Sequence, residues 1–176
     1  MKVFVTGVAG QLGHDVMNEL AGRGYEGIGS DVKEAYSGVC DGTPVENMSY
    51  IQMDITDADS VGKVLENVKP DVVVHCAAWT AVDLAEDEDK QETVYAVNVQ
   101  GTRNIAEVCR KLGCKMVYLS TDYVFDGTGT EPWKPDCKDY SPLNVYGKTK
   151  LDGELAVSEL LEKYFIVRIA WVFGKN

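Results

Sequence analysis

A doubly wound parallel α/β sheet is the fold the sequence predicts, on three observations. Short apolar runs of strand length alternate with longer stretches of helical period along the chain. Runs such as DVVVH (71–75) and KMVYLS (115–120) show no in/out alternation, as suits strands buried on both faces of a parallel sheet. The first run leads directly into closely spaced glycines and then a helical pattern, the opening of a nucleotide-binding β-α-β unit.

Taken in order, Val3 to Val5 is the first strand, Leu12 to Leu20 the first helix and Gly27 to Ser30 the second strand. From Asp31 to Ser49, Gly38, Gly42, Pro44 and polar neighbours break any period, which predicts a surface excursion. Tyr50 to Met53 and Val72 to His75 read as strands around a helix from Val61 to Val68, with His75 closing a core strand. A helix from Tyr95 to Leu112 precedes the strand Lys115 to Ser120. The stretch Asp122 to Pro142, rich in Gly, Pro, Thr and Asp, reads as a loop near the site. Val145 to Lys163 is helical and Phe165 to Ala170 is the last strand, completing a Rossmann-like chain. With 176 residues, 45% of them hydrophobic, the chain reads as one domain over residues 1–176.

Composition excludes several functions. A formal net charge of −11 opposes binding to nucleic acid or to an anionic membrane surface. Five cysteines, an odd number with no Cys-x-x-Cys pair, predict reduced thiols in a cytoplasm. The two histidines, His14 and His75, stand far apart without clustered Cys or Asp, so no transition-metal site is expected. The N-terminal MKVFVTG reaches glycine too soon for a signal peptide, and no apolar run approaches membrane-spanning length. The expectation is a soluble cytoplasmic protein.

The first turn reads TGVAGQLG, with Gly7, Gly10 and Gly13 spaced three apart and Gln11 and Leu12 opening the helix. Glycine permits a tight turn and close backbone approach, so a phosphate can meet the free N–H groups of the helix N-terminus. Asp31, at the end of the second strand, is placed to accept from a ribose 2′-hydroxyl, which favours NADH over NADPH; Lys33 pulls the other way, and a simple turn-capping role for Asp31 stays open. Asp54 and Ile55, then Ala77, Ala78 and Trp79, end the next strands at the same edge and are further cofactor candidates, although the alanines suit helix packing equally. Asn98 lies mid-helix, where asparagine is mediocre, and is expected to have a polar role as a further cofactor candidate.

The strand ending in Ser120 and Thr121 is followed by Tyr146 and Lys150, four residues apart and so on one face of a helix. An ammonium beside a phenol lowers the phenol's pKa toward the range useful in proton transfer to a carbonyl. A solvated helix face is the plain alternative.

Together TGVAGQLG, DITD, HCAAWTAVD, NVQGT, STDYVFDGTG, SPLNVYGKTKLDGE and RIAWVFG resemble the extended short-chain dehydrogenase/reductases, and within them the dTDP-4-dehydrorhamnose reductase family, from Lys2 to Gly174. The resemblance implies reduction of the 4-keto group of a dTDP-linked 6-deoxyhexulose, giving dTDP-L-rhamnose for polysaccharide, with hydride from NADPH or NADH. It makes Tyr146 the acid toward the C4 oxygen, Lys150 the residue that binds the nicotinamide ribose and lowers the tyrosine's pKa, and Thr121 the catalytic hydroxyl. It also sets Asp122, Tyr123 and Trp171 against the sugar, Trp171 as a stacking surface. Trp79 departs from the family's smaller aromatic or histidine and is expected to narrow the crevice. The family continues past RIAWVFG into a smaller substrate domain that closes over the sugar and helps form a homodimer, so that domain is expected to be missing from this chain. Asp15 matches one of the acidic ligands some members use for magnesium; the others would lie past Asn176, so no metal is expected. Two alternatives remain: another nucleotide-sugar reductase or 4-epimerase, or a non-catalytic NAD(P)-binding subunit like the regulatory subunit of methionine adenosyltransferase, which shares the YGKTKLDGE segment. Thr80 to Asp83 and Trp171 favour the reductase.

Overall fold

The computed structural model describes residues 1–174. Six strands form one parallel sheet in the order β3-β2-β1-β4-β5-β6: β1 Lys2–Thr6, β2 Glu26–Asp31, β3 Ser49–Gln52, β4 Val72–His75, β5 Lys115–Thr121 and β6 Tyr164–Ile169. The helices are α1 Gln11–Gly22, α2 Ala58–Val68, α3 Glu88–Tyr95, α4 Thr102–Leu112 and α5 Val145–Leu160. None of the described helices is long and apolar enough to cross a membrane.

Strand order reverses between β1 and β4, and a crevice opens there at the carboxyl ends of the strands. Alternate residues of each strand feed two cores. Phe4, Ile28, Val73, Met116 and Tyr118 pack beneath α2, α4 and α5, against Val61, Leu65, Ile105 and Val157. Val3, Val5 and Val8 meet Met17 of α1 and Val45 on the opposite face. Register places Val5, Val74, Val117 and Phe165 in one row of that second face, and Phe165 at its end is 66% exposed.

The helix expected from Tyr95 begins at Glu88, because its first turns, EDKQETVY, carry almost no apolar residues to mark a period. It also passes through a π-type turn at Ala96–Gly101 before resuming as α4. The excursion after β2 holds one short 3₁₀ turn, Pro44–Asn47, pinned by buried Val45. The last strand stops at Ile169, so Trp171 lies beyond it, in the left-handed region at φ 51°.

Candidate active site

The crevice is a cavity of about 900 Å³ whose floor is the carboxyl edge of the sheet. Gly7 turns the chain at φ +71°, and a Cβ there would strike the backbone of Cys76 and Ala77. Gly13 lies against the Gly7 carbonyl, again with no room for a side chain. The two glycines therefore let β1, the start of α1 and the end of β4 close on one another. Gly10, the α1 N-cap, offers no side-chain cap, and the first turn holds no acid; α2 and α5 by contrast are capped by Asp57 and Asn144. The N–H groups of that turn remain available to an anion.

Three buried polar atoms among the described residues lack a partner, Gln11 Nε2, Ser30 Oγ and Ser120 Oγ, and all three residues line this cavity. Buried polar groups are rarely left unmatched, so these mark the place of a polar ligand. A glycine cradle, an uncapped helix start and orphaned donors suit a dinucleotide with its pyrophosphate at α1.

Asp31 serves two ends at once. Its carboxylate accepts from the Ala9 and Val32 N–H groups at 3.1 and 2.8 Å, so it does cap the turn, and it also stands in the cavity wall, while Lys33 does not. Gly7, Gly10, Gln11, Leu12, Gly13, Asp54, Ile55, Ala77 and Ala78 join it in that wall. At the far side Thr121, Asp122, Tyr123, Tyr146, Lys150 and Trp171 line the same space. Trp171 is 85% exposed.

Two cofactor candidates do not line the cavity. Asn98 sits in the π-type turn, its oxygen accepting from the Trp79 N–H at 2.8 Å and its amide donating to the Trp79 carbonyl and to Thr149 Oγ1. Its hydrogen bonds are spent on the protein. The Trp79 ring packs instead with Ala85, Val94 and Tyr146. In this structure both act as supports: they tie the end of β4 to α5, since Thr149 in turn donates to the Tyr146 carbonyl at 2.9 Å.

A second polar chain runs under the cavity. Thr102 donates to the Asn98 carbonyl at 2.7 Å, so His75 Nε2, 3.1 Å away, must carry the proton it gives to Thr102. His75 Nδ1 is then an acceptor for Thr6 Oγ1 at 2.7 Å, and Thr6 accepts from the Ala77 N–H at 3.2 Å. Burial, aided by the Lys150 charge, lowers the His75 pKa to about 3, so the ring stays neutral. Its role is to hold Ala77 against Gly7. Thr6, Ser30 and Cys76 were not picked out from sequence as cavity residues, although Thr6 and Ser30 are visible there as hydroxyls ending strands one and two.

Lys150 and Tyr146 are both buried at the start of α5. The ammonium donates to the Leu119 carbonyl at 2.7 Å and lies 4.2 Å from the centre of the Tyr118 ring. Burial lowers its pKa to about 7, with Glu154 and Cys76 pulling it back up. The phenol is shifted opposite to the expectation: burial raises it, Thr121's hydrogen bond works the other way, and Asp122 and Tyr123 raise it further. Desolvation of the ring outweighs any help from Lys150, which is not among the groups acting on it.

The low Lys150 value has a measurable consequence. Between pH 7 and the ordinary lysine value of 10.5 the unfolded chain holds a proton that the folded chain has released, so stability rises with pH across that window. Lys150→Met is expected to flatten the rise and to be more stable than the parent at pH 6, by on the order of 2 kcal/mol. Denaturant melts of both proteins from pH 6 to 10 check this; parallel curves would refute the buried charge.

The family described as the RmlD substrate binding domain matches residues 1–176. The dTDP-4-dehydrorhamnose reductase of Streptomyces griseus is 40% identical over 172 residues, covering 97% of this chain and 50% of that protein. Among solved structures, a dTDP-4-dehydrorhamnose reductase from Clostridium acetobutylicum superposes with a TM-score of 0.85 at 38% identity, covering 100% of this chain and 55% of that one. The Bacillus anthracis enzyme in complex with NADP gives 0.81 at 36% identity, with 100% and 56% covered. The chain thus spans about half the length of the curated relatives it matches. Because the family match takes in every strand and helix around the crevice, glycine turn and Tyr146 helix alike, the chain belongs to the RmlD substrate binding domain family.

Proposed function

We propose that the chain binds NADPH or NADH in the crevice and carries the proton-donating side of a reduction of dTDP-4-dehydrorhamnose to dTDP-L-rhamnose. The observation that carries this is the placement of Thr121, Tyr146 and Lys150 on the far wall of the same cavity whose near wall is the glycine turn. Reduced nicotinamide supplies the hydride when bound. The glycine turn and the first turn of α1 would hold the pyrophosphate, and Asp31 would accept from the adenosine ribose. Tyr146 gives its proton to the C4 oxygen, so that carbonyl, hydride and proton become the alcohol. Thr121, whose hydroxyl donates to Asp122 at 3.1 Å, would turn that proton to the same oxygen, and Lys150, its pKa lowered by burial to about 7, would hold the nicotinamide ribose. Asp122, Tyr123 and Trp171 form the sugar's side, the exposed indole serving as a stacking surface.

Calorimetric titration of the chain with NADPH and with NADH, followed by the dTDP-4-keto sugar and absorbance of the reduced nicotinamide, tests this. Binding of both cofactors and oxidation on adding sugar are expected. Asp31→Ala is expected to shift the affinity ratio toward NADPH by about tenfold, because a carboxylate repels a 2′-phosphate. An unmoved ratio would leave Asp31 as a turn cap alone. Failure to bind either nucleotide would overturn the proposal, and binding without oxidation would favour the non-catalytic subunit.

A further inference from the structure

The segment 126–142 leaves the site just after Thr121–Val124 and returns to it at Asn144–Tyr146. A guanidinium on β6 grips it. Arg168 makes a forked contact with Glu154, Nε to Oε1 at 2.9 Å and Nη2 to Oε2 at 2.7 Å. The same group donates to the Tyr140 hydroxyl at 2.9 Å and to the Cys137 carbonyl at 3.5 Å, both on the segment. It lies 5.1 and 5.2 Å from the Phe125 and Tyr140 ring centres, and Phe125 stacks on Trp133 at 4.4 Å. The base of the segment is closed by the Ser141 N–H on the Val124 carbonyl at 3.0 Å. Glu154 is 2% exposed and stands one helical turn past Lys150 on α5.

We propose that Arg168 is a positioning residue: by holding Glu154 of α5 on one side and segment 126–142 on the other, it fixes both ends of that segment and so sets Tyr146 against Thr121. Only a planar fork with several donors can satisfy a buried carboxylate, a hydroxyl and a carbonyl together; a lysine presents a single point. Glu154 deprived of this partner would be a buried carboxylate without its forked donor, left to the more distant Lys150 charge alone. The helix carrying Tyr146 would then be free to shift against the strand carrying Thr121. The inference takes Tyr146 as the acid from the proposed function, but its contacts and its first two readouts do not depend on turnover.

The test compares Arg168→Met and Arg168→Lys with the parent 176-residue chain. Trypsin cleavage after Lys138 reports on the segment, Lys134 being protected by Pro135. The titration of Tyr146, followed by carbon NMR of labelled tyrosine and assigned with Tyr146→Phe, reports on the site. In a folded Arg168→Met, cleavage is expected to quicken by about tenfold or more, as opening tracks the lost contacts. The Tyr146 titration is expected to fall toward the ordinary tyrosine value as the ring gains water, with Arg168→Lys in between on both measures. Tyr140→Phe removes one contact on an outlying ring and carries the same test if Arg168→Met does not fold, cleavage rising severalfold. Unchanged cleavage in a folded variant would overturn the proposal. So would faster cleavage with an unmoved Tyr146 titration, which would make Arg168 a clamp for the segment alone. A parent chain that fails to bind NADPH would count against the cofactor assignment while leaving these two measurements intact.

Discussion

Replacing Tyr146 by Phe is expected to lower the rate of sugar reduction by about 10²- to 10⁴-fold while NADPH affinity stays within error of the parent. The change removes only a hydroxyl. The ring would keep its edge-on contact with Tyr123 at 5.8 Å and its packing among Ala85 and Val94, so the fold should survive. A phenol raised by burial is a weaker acid that holds its proton through neutral pH, so it is still protonated when hydride arrives and gives the proton up only as negative charge develops on the C4 oxygen. Single-turnover oxidation of the nicotinamide, read beside calorimetric binding of NADPH, separates the two effects. Undiminished reduction would remove Tyr146 from the mechanism, and loss of cofactor binding would make it a structural residue.

Gly13→Ala is expected to be strongly damaging for a change of one methyl group. The added carbon would press into the Gly7 carbonyl, which is backbone and cannot swing aside. Separation of α1 from the β1 turn should cost about 1–3 kcal/mol in denaturant melts and weaken NADPH by about a hundredfold or more, because the same turn holds the phosphate. Gly10→Ala is the internal control. Its Cβ would lie 3.4 Å from the Gly7 oxygen, an ordinary contact, so stability should hardly change and binding should fall far less. Equal effects at the two positions would mean that glycine matters here for flexibility and not for close approach.

How far the sequence carried the fold depended on what each element had to show. β4 and β5 are apolar on both faces and were legible at once, since only a buried parallel strand needs that pattern. α3 was missed at its start because Glu88 to Glu92 is polar throughout and its helicity shows no apolar stripe. The cavity wall was legible wherever a residue ended a strand, from Gly7 through Asp31 and Ala77 to Thr121, because parallel strands deliver their carboxyl ends to one edge. At Asn98 and Trp79 the sequence was ambiguous for a definite reason. A polar side chain mid-helix signals a need for hydrogen bonds, but not whether ligand or protein supplies them; here a π-type turn swings the amide onto the Trp79 backbone. The sign of the Tyr146 shift was beyond a spacing argument too. Four residues in a helix place Lys150 on the same side, while burial of the ring, a tertiary property, decides the balance.

The strand order has a consequence for how the chain folds. β1 can pair with β2 as soon as the first β-α-β unit exists, with Val3 opposite Gly27. Its other neighbour is far off in sequence: Val3 meets Val72, a separation that leaves one edge of the central strand open until β4 arrives. During synthesis at roughly 5–20 residues per second that edge stays unpaired for several seconds. Closing so long a loop taxes the rate more than the final stability. The β1–β4 seam, which is also the floor of the nucleotide crevice, should therefore be among the last parts of the sheet to form, and a nucleotide added during refolding should act on a late step.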